Sequence, residues 1–103
     1  PDAEIWVRSH LALFPNLRIQ QGPSAELGRD CQQPICLLHI DGDHAFESVV
    51  ADFCAWMPWV RPGGCVLFHD ITSFESVRRF FDLLGGRKRE IPEFHGLGCW
   101  FRD

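Results

Sequence analysis

From Ile35 to Ile40 the chain reads ICLLHI, a largely apolar run bounded by Pro34 and Gly42. An apolar run of that length between turn residues predicts a buried core strand. A second run, CVLF at residues 65–68, predicts another strand. Between them Phe46, Val49, Val50, Phe53, Trp56, Met57 and Val60 fall at helical spacing, which predicts a helix over 46–60. Pro58 removes one internal hydrogen bond, so the last helical turn is expected to be kinked or loose. The Arg61-Pro62-Gly63-Gly64 stretch is expected to end the helix and turn the chain. Strand, helix and strand within about 30 residues make a βαβ unit with a right-handed crossover. Its two strands are expected to be adjacent, parallel and buried on both faces.

The flanks carry weaker patterns. Residues 3–14 hold Ile5, Trp6, Leu11, Leu13 and Phe14 and predict a helix ending near Pro15. Residues 17–20 read as a short strand. Gly22-Pro23-Ser24 then turns the chain, and 25–27 add a helical turn. Thr72-Ser73-Phe74-Glu75 has the pattern of a capping box. It is expected to open a helix with Phe74, Val77, Phe80, Phe81 and Leu84 inward, closed by Gly85-Gly86. Residues 90–102 alternate loosely around Gly96 and Gly98 and are expected to form two short strands.

A chain of 103 residues, 46% of them hydrophobic, allows one small domain with a real core. No stretch approaches the ~20 apolar residues needed to span a bilayer, and no signal peptide is visible. The formal charge of −4 argues against general nucleic-acid binding, which needs basic patches. The short run Arg87-Lys88-Arg89 reads as a solvated turn. The five cysteines are odd in number and scattered without a CxxC pair. A reducing cytoplasm fits them better than a disulfide framework or a zinc cluster.

The candidate chemistry stands at the strand ends. His39-Ile40-Asp41-Gly42-Asp43-His44 packs carboxylates and imidazoles where the first core strand stops, and His69-Asp70 does the same for the second. In open α/β sheets ligands lie outside the carboxyl ends of the strands. Asp41, His44, His69 and Asp70 are therefore expected to share one pocket. Asp43 is read as the cap of the following helix. His44 is the candidate general base, because imidazole titrates near neutrality and can take the proton of an attacking hydroxyl. His39, opposite Ile40 in the strand, is read as a core or interlayer residue. His10 and His95 carry no signal.

The run LLHIDGDHAFESVVADFCAWMPWVRPGGCVLFHDI over residues 37–71 resembles the second half of a class I S-adenosylmethionine-dependent methyltransferase. It is similar to the O-methyltransferase-like group with an IDGDH strand end, an RPGG turn and an HD strand end. The resemblance implies an α/β Rossmann-like sheet, mostly parallel with a closing antiparallel hairpin. It implies methyl transfer to the hydroxyl of a small molecule, with S-adenosylmethionine as cofactor and a divalent cation in the metal-dependent relatives. Carried onto this chain, the cation ligands are Asp41, His69 and Asp70. An imidazole in place of the first acid of the pair favours Mn²⁺, Fe²⁺ or Zn²⁺ over Mg²⁺. In some relatives a histidine three residues after the metal aspartate is the base, the spacing of Asp41 to His44. Ser24 and Asp41 fall where the group contacts the cofactor, although Pro23 stands where an acid is usual before Ser24.

Against the group's order of elements, the first strand, its glycine-rich turn and the acid-ended second strand are missing, and no GxGxxG-like run occurs. The expectation is one partial domain over 1–103, a C-terminal portion. A missing N-terminal half or a second copy is then the expected protein partner. Such a piece exposes ladder edges unless the strand at 17–20 pairs directly with the strand at 35–40. Two other classes stay open. One is a non-catalytic methyltransferase-like remnant serving as an interaction module. The other is a metallohydrolase, since His39-x-Asp41-x-Asp43-His44 resembles the HxHxDH ligand motif of metallo-β-lactamases with Asp41 in place of a histidine.

Overall fold

A computed structural model describes residues 2–93 and 95–103. The side chain of Leu11, expected on the apolar side of the first helix, lies outside the described set. The chain forms α1 (Asp2–Leu11), α2 (Ser24–Arg29), β1 (Ile35–Ile40), α3 (Phe46–Trp56), a 3₁₀ turn (Met57–Trp59), β2 (Val60–His69), α4 (Glu75–Leu83), β3 (Lys88–Ile91) and β4 (Leu97–Phe101). The four strands make one mixed sheet in the order β1-β2-β4-β3. β1 and β2 are parallel, and β4 joins β2 and β3 antiparallel. The βαβ unit and the closing hairpin are thus both present.

The core lies on one face of this sheet. Ile40, Val66 and Phe68 meet Val49 and Phe53 of α3 and Val77, Phe80 and Phe81 of α4, all buried. The Phe53 ring stands 5.9 Å from that of Phe68 and 5.3 Å from that of Phe80, within the range of favourable aromatic pairs. The opposite face differs from expectation. Leu37 is 60% exposed and His39 is exposed beside it, so β1 is buried on one face only. No described element covers that side of β1, and His39 is a surface residue, not a core one.

Three local readings are corrected. Residues 17–20 form no strand, and Leu17 and Ile19 are exposed. A strand needs a ladder partner, and among the described residues β1 pairs only with β2. The second correction concerns residues 61–64, which do not simply turn the chain. Ile35 pairs with Val60 and Leu37 with Cys65, so these four residues bulge out opposite Cys36 within β2. Gly64 permits this, because a Cβ there would stand 3.0 Å from the Cys36 carbonyl oxygen. Finally, the capping box does not form. α4 starts at Glu75 with Phe74 in the cap position and no side-chain cap bond, while Ser73 Oγ pairs with His95 Nδ1 at 2.8 Å.

The loosened end of α3 is as Pro58 predicts, a 3₁₀ turn. Its free carbonyls are not left unpaired. The Arg102 guanidinium donates to the carbonyls of Met57 and Pro58 at 3.2 Å and also to that of Val60. The tail is thereby tied to the crossover that positions β2.

Candidate active site

β1 and β2 run in register from Leu37↔Cys65 to Ile40↔Phe68, so their last residues emerge side by side. Asp41 follows one strand, and His69 and Asp70 finish the other. Asp70 adopts φ +64°, a left-handed conformation that Asp tolerates better than most residues. Two backbone bonds beyond it hold the turn: Ile71 N–H donates to the Gly96 carbonyl at 3.3 Å and Thr72 N–H to that of His95 at 2.9 Å.

Asp70 is the hub of the cluster. Its Oδ2 lies 2.9 Å from His44 Nε2 and 3.2 Å from His69 Nδ1, and its side chain is 13% exposed. His69 Nδ1 is also 3.2 Å from Asp41 Oδ1. Burial alone would push the Asp70 carboxyl up, but the hydrogen bond from His44 and the charge of His69 outweigh it and hold the group below its usual range. Asp43 does what a cap does. Its Oδ1 accepts the Ala45 N–H at 3.1 Å and its Oδ2 accepts the Ser48 hydroxyl at 2.9 Å. The Ala45 bond is the main reason its carboxyl is held low.

The four residues expected to share a pocket are therefore brought together. Asp41, His44 and Asp70 each offer a ligand atom, all within 4.8 Å of one another. Ligands of one cation lie ~2–2.6 Å from it, so this spread fits a single ion. This ligand-spaced set includes His44, read from sequence as the base, while His69 Nδ1 sits between the two carboxylates at 3.2 Å from each. Mixed oxygen and imidazole donors suit Mn²⁺, Fe²⁺ or Zn²⁺. His39 is outside the set; its ring meets that of His69 edge-on at 6.0 Å.

Ser24 lies apart from the cluster but on the same cavity as Asp41. This cavity of about 770 Å³ runs along β1 and is bounded by Ser24, Leu38, Asp41, Asp43, Asp52 and Trp56 among others. Its size is within the ~300–1,000 Å³ of small-molecule sites. Trp56 Nε1–H donates to the Ser24 carbonyl at 2.9 Å and lies 3.2 Å from its hydroxyl, which fixes α2 against α3.

Two contributors were not legible in the sequence. Phe74, expected in the core, is 40% exposed and stacks on His44 with ring centroids 3.7 Å apart and planes 3° apart. Ser76 Oγ donates to the His44 carbonyl. Phe74 caps α4 and Ser76 stands on its first turn, both far from His44 in sequence, and no local pattern announces such a contact.

The model of a family described as a methyltransferase domain matches residues 1–71. The chain belongs to this methyltransferase-domain family. Among curated relatives, protein y4gI of Sinorhizobium fredii is 39% identical over 70 residues, covering 63% of this chain and 8% of that protein. A protein of Acanthamoeba polyphaga mimivirus is 27% identical over 73 residues, covering 64% of this chain and 33% of its own. A solved Staphylococcus aureus structure, described as a candidate caffeoyl-CoA O-methyltransferase, superposes with a TM-score of 0.74 at 16% identity. That match covers 93% of this chain and 57% of the solved one, so the methyltransferase domain here spans well under two thirds of each relative. At that identity the superposition speaks for the fold: a Rossmann-like methyltransferase sheet, of which the described residues form four strands.

Proposed function

We propose that this methyltransferase domain takes part in S-adenosylmethionine-dependent methyl transfer to the hydroxyl of a small molecule, at the cluster of Asp41, His44, His69 and Asp70. The observation that carries the reading is the meeting of these four side chains at two parallel strand ends, in a chain of this family. S-adenosylmethionine supplies an electrophilic methyl group on sulfonium sulfur. Ser24 and Asp41 line the cavity that would form one wall for it.

The protein's part is to prepare the acceptor oxygen. The Nε2–H of His44 donates to Asp70 Oδ2, which leaves Nδ1 as the basic nitrogen. The acceptor hydroxyl gives its proton to Nδ1, and the Asp70 carboxylate stabilises the imidazolium that results. Asp41, Asp70 and His69 would hold a divalent cation, whose role is to lower the pKa of the hydroxyl. Free thiols at Cys31, Cys36, Cys54, Cys65 and Cys99 favour a reducing compartment such as the cytoplasm. No helix among the described residues is long and apolar enough to cross a membrane.

The test is transfer of labelled methyl from S-adenosylmethionine to a panel of small hydroxyl compounds, with and without Mn²⁺, by the longer protein that contains this chain. Turnover that is stimulated by the cation and lost in Asp70→Asn supports the reading. Absence of transfer under every condition favours a non-catalytic interaction module. The open edge of β1 is the observation that keeps that second reading alive. For the metallohydrolase class, His39 and Asp43 both stand outside the ligand-spaced set, and the Asp43 carboxylate is engaged by Ala45 and Ser48.

A further inference from the structure

Phe74 is a large apolar side chain left 40% exposed at the start of α4, although the core of Val77, Phe80 and Phe81 lies one turn away. Its ring instead lies flat on the His44 imidazole, 3.7 Å between centroids and 3° between planes. Its backbone N–H donates to the Asp70 carbonyl at 3.1 Å. Two residues on, Ser76 Oγ donates to the His44 carbonyl. The cap and first turn of α4 thus hold both members of the His44–Asp70 pair, the ring by a flat contact and the main chains by hydrogen bonds.

We propose that Phe74 is a positioning residue that fixes the His44 ring in the plane where Nε2 meets Asp70. The inference rests on the reading of His44 as base, but the placement it claims can be measured without catalysis. An imidazole with no wall can rotate about its side-chain bonds, and only some settings bring Nε2 to a carboxylate. A flat aromatic face removes the others. A branched aliphatic chain of similar bulk fills the space without defining a plane, so Phe74→Leu should release the ring while Phe74→Tyr keeps it.

The experiment is NMR of the metal-free protein with labelled histidine. In the wild type the His44 ring protons should be shifted upfield by the Phe74 ring current, and the Nε2–H bonded to Asp70 should exchange slowly with water. In Phe74→Leu both signatures should vanish, and in Phe74→Tyr both should persist. Phe74→Met, flexible and without a flat face, serves as a second variant should Phe74→Leu not fold. In turnover assays the expected signature is a kcat lowered about tenfold with KM little changed, since the acid–base contribution of ~10²–10⁴ is only partly lost when the base is misaligned rather than removed. Retention of the shifted ring signals and the slow Nε2–H in Phe74→Leu overturns the proposal, as does their absence from the wild type. Wild-type protein that shows both signals but transfers no methyl group defeats the proposed reaction and leaves the positioning role standing.

Discussion

At the scale of single residues, the site depends on groups whose backbone and charge are both unusual. Asp70 combines φ +64° with a carboxylate that receives two imidazoles. Asn shares its tolerance of the left-handed region and its shape but not its charge. Asp70→Asn should therefore keep a thermal midpoint near that of the wild type while losing cation affinity and turnover. A β-branched Asp70→Val should instead lower the midpoint, because such residues resist positive φ. Differential scanning calorimetry beside cation titration separates the two. If Asp70→Asn binds Mn²⁺ as tightly as the wild type, Asp70 is not a ligand. Asp43 gives the pH dependence. Its folded pKa is depressed below 3.8, chiefly by the Ala45 N–H. The carboxylate's contribution is therefore complete above that value and is lost as pH falls through the folded one. Urea midpoints of wild type and Asp43→Ala should differ at neutral pH and draw together below about pH 3.8. A gap that stays constant down to pH 2 would count against capping by the ionised form.

At the scale of elements, close approach between strand and helix sets what sequence changes the core accepts. Gly98 of β4 faces the Phe81 ring, and a Cβ there would stand 2.8 Å from it. Phe81 is 1% exposed and cannot move aside freely. Gly98→Ala should therefore destabilise by about 1–3 kcal/mol, the usual cost of overpacking, read as a lower urea midpoint with an unchanged slope. The same geometry explains which elements could be read from sequence. β1, α3 and β2 were legible because each carries a dense apolar period matched to its own local structure. The strand expected at 17–20 was not, because a strand exists only as half of a pair and Leu17 and Ile19 find no ladder. The Thr72–Glu75 pattern misled because the Thr72 N–H bonds the carbonyl of His95, distant in sequence, and α4 opens only at Glu75 with Phe74 in the cap position. Of the site, the residues at the strand ends were readable from their position. The stacking of Phe74 on His44 was not, since it joins the start of α4 to the segment after β1 through tertiary structure alone.

At the scale of the molecule, the described sheet ends in β1 on one side and β3 on the other, and the candidate site lies at the β1 end. Among the described residues β1 has a ladder partner on one edge only, which leaves its other edge open; its outer face shows Leu37, and Ile5 and Trp6 of α1 are exposed at 64% and 62%. The cavity of about 770 Å³ lies along that same open edge, so one wall of it is built and the facing wall is not. Under the proposed function, Ser24 and Asp41 would contact the cofactor from their side. The sequence offers no glycine-rich turn whose backbone N–H groups would meet a carboxylate from the other. Polar groups buried without partners cost ~1–3 kcal/mol each, so a half-walled site discards much of the binding energy. Calorimetry with residues 1–103 alone should therefore show S-adenosylmethionine binding weaker than about millimolar, at most roughly −4 kcal/mol. A longer protein that supplies the second wall should bind more tightly, with Asp41→Ala weakening it. Micromolar affinity in the 103-residue chain would refute this and require a self-sufficient site along β1.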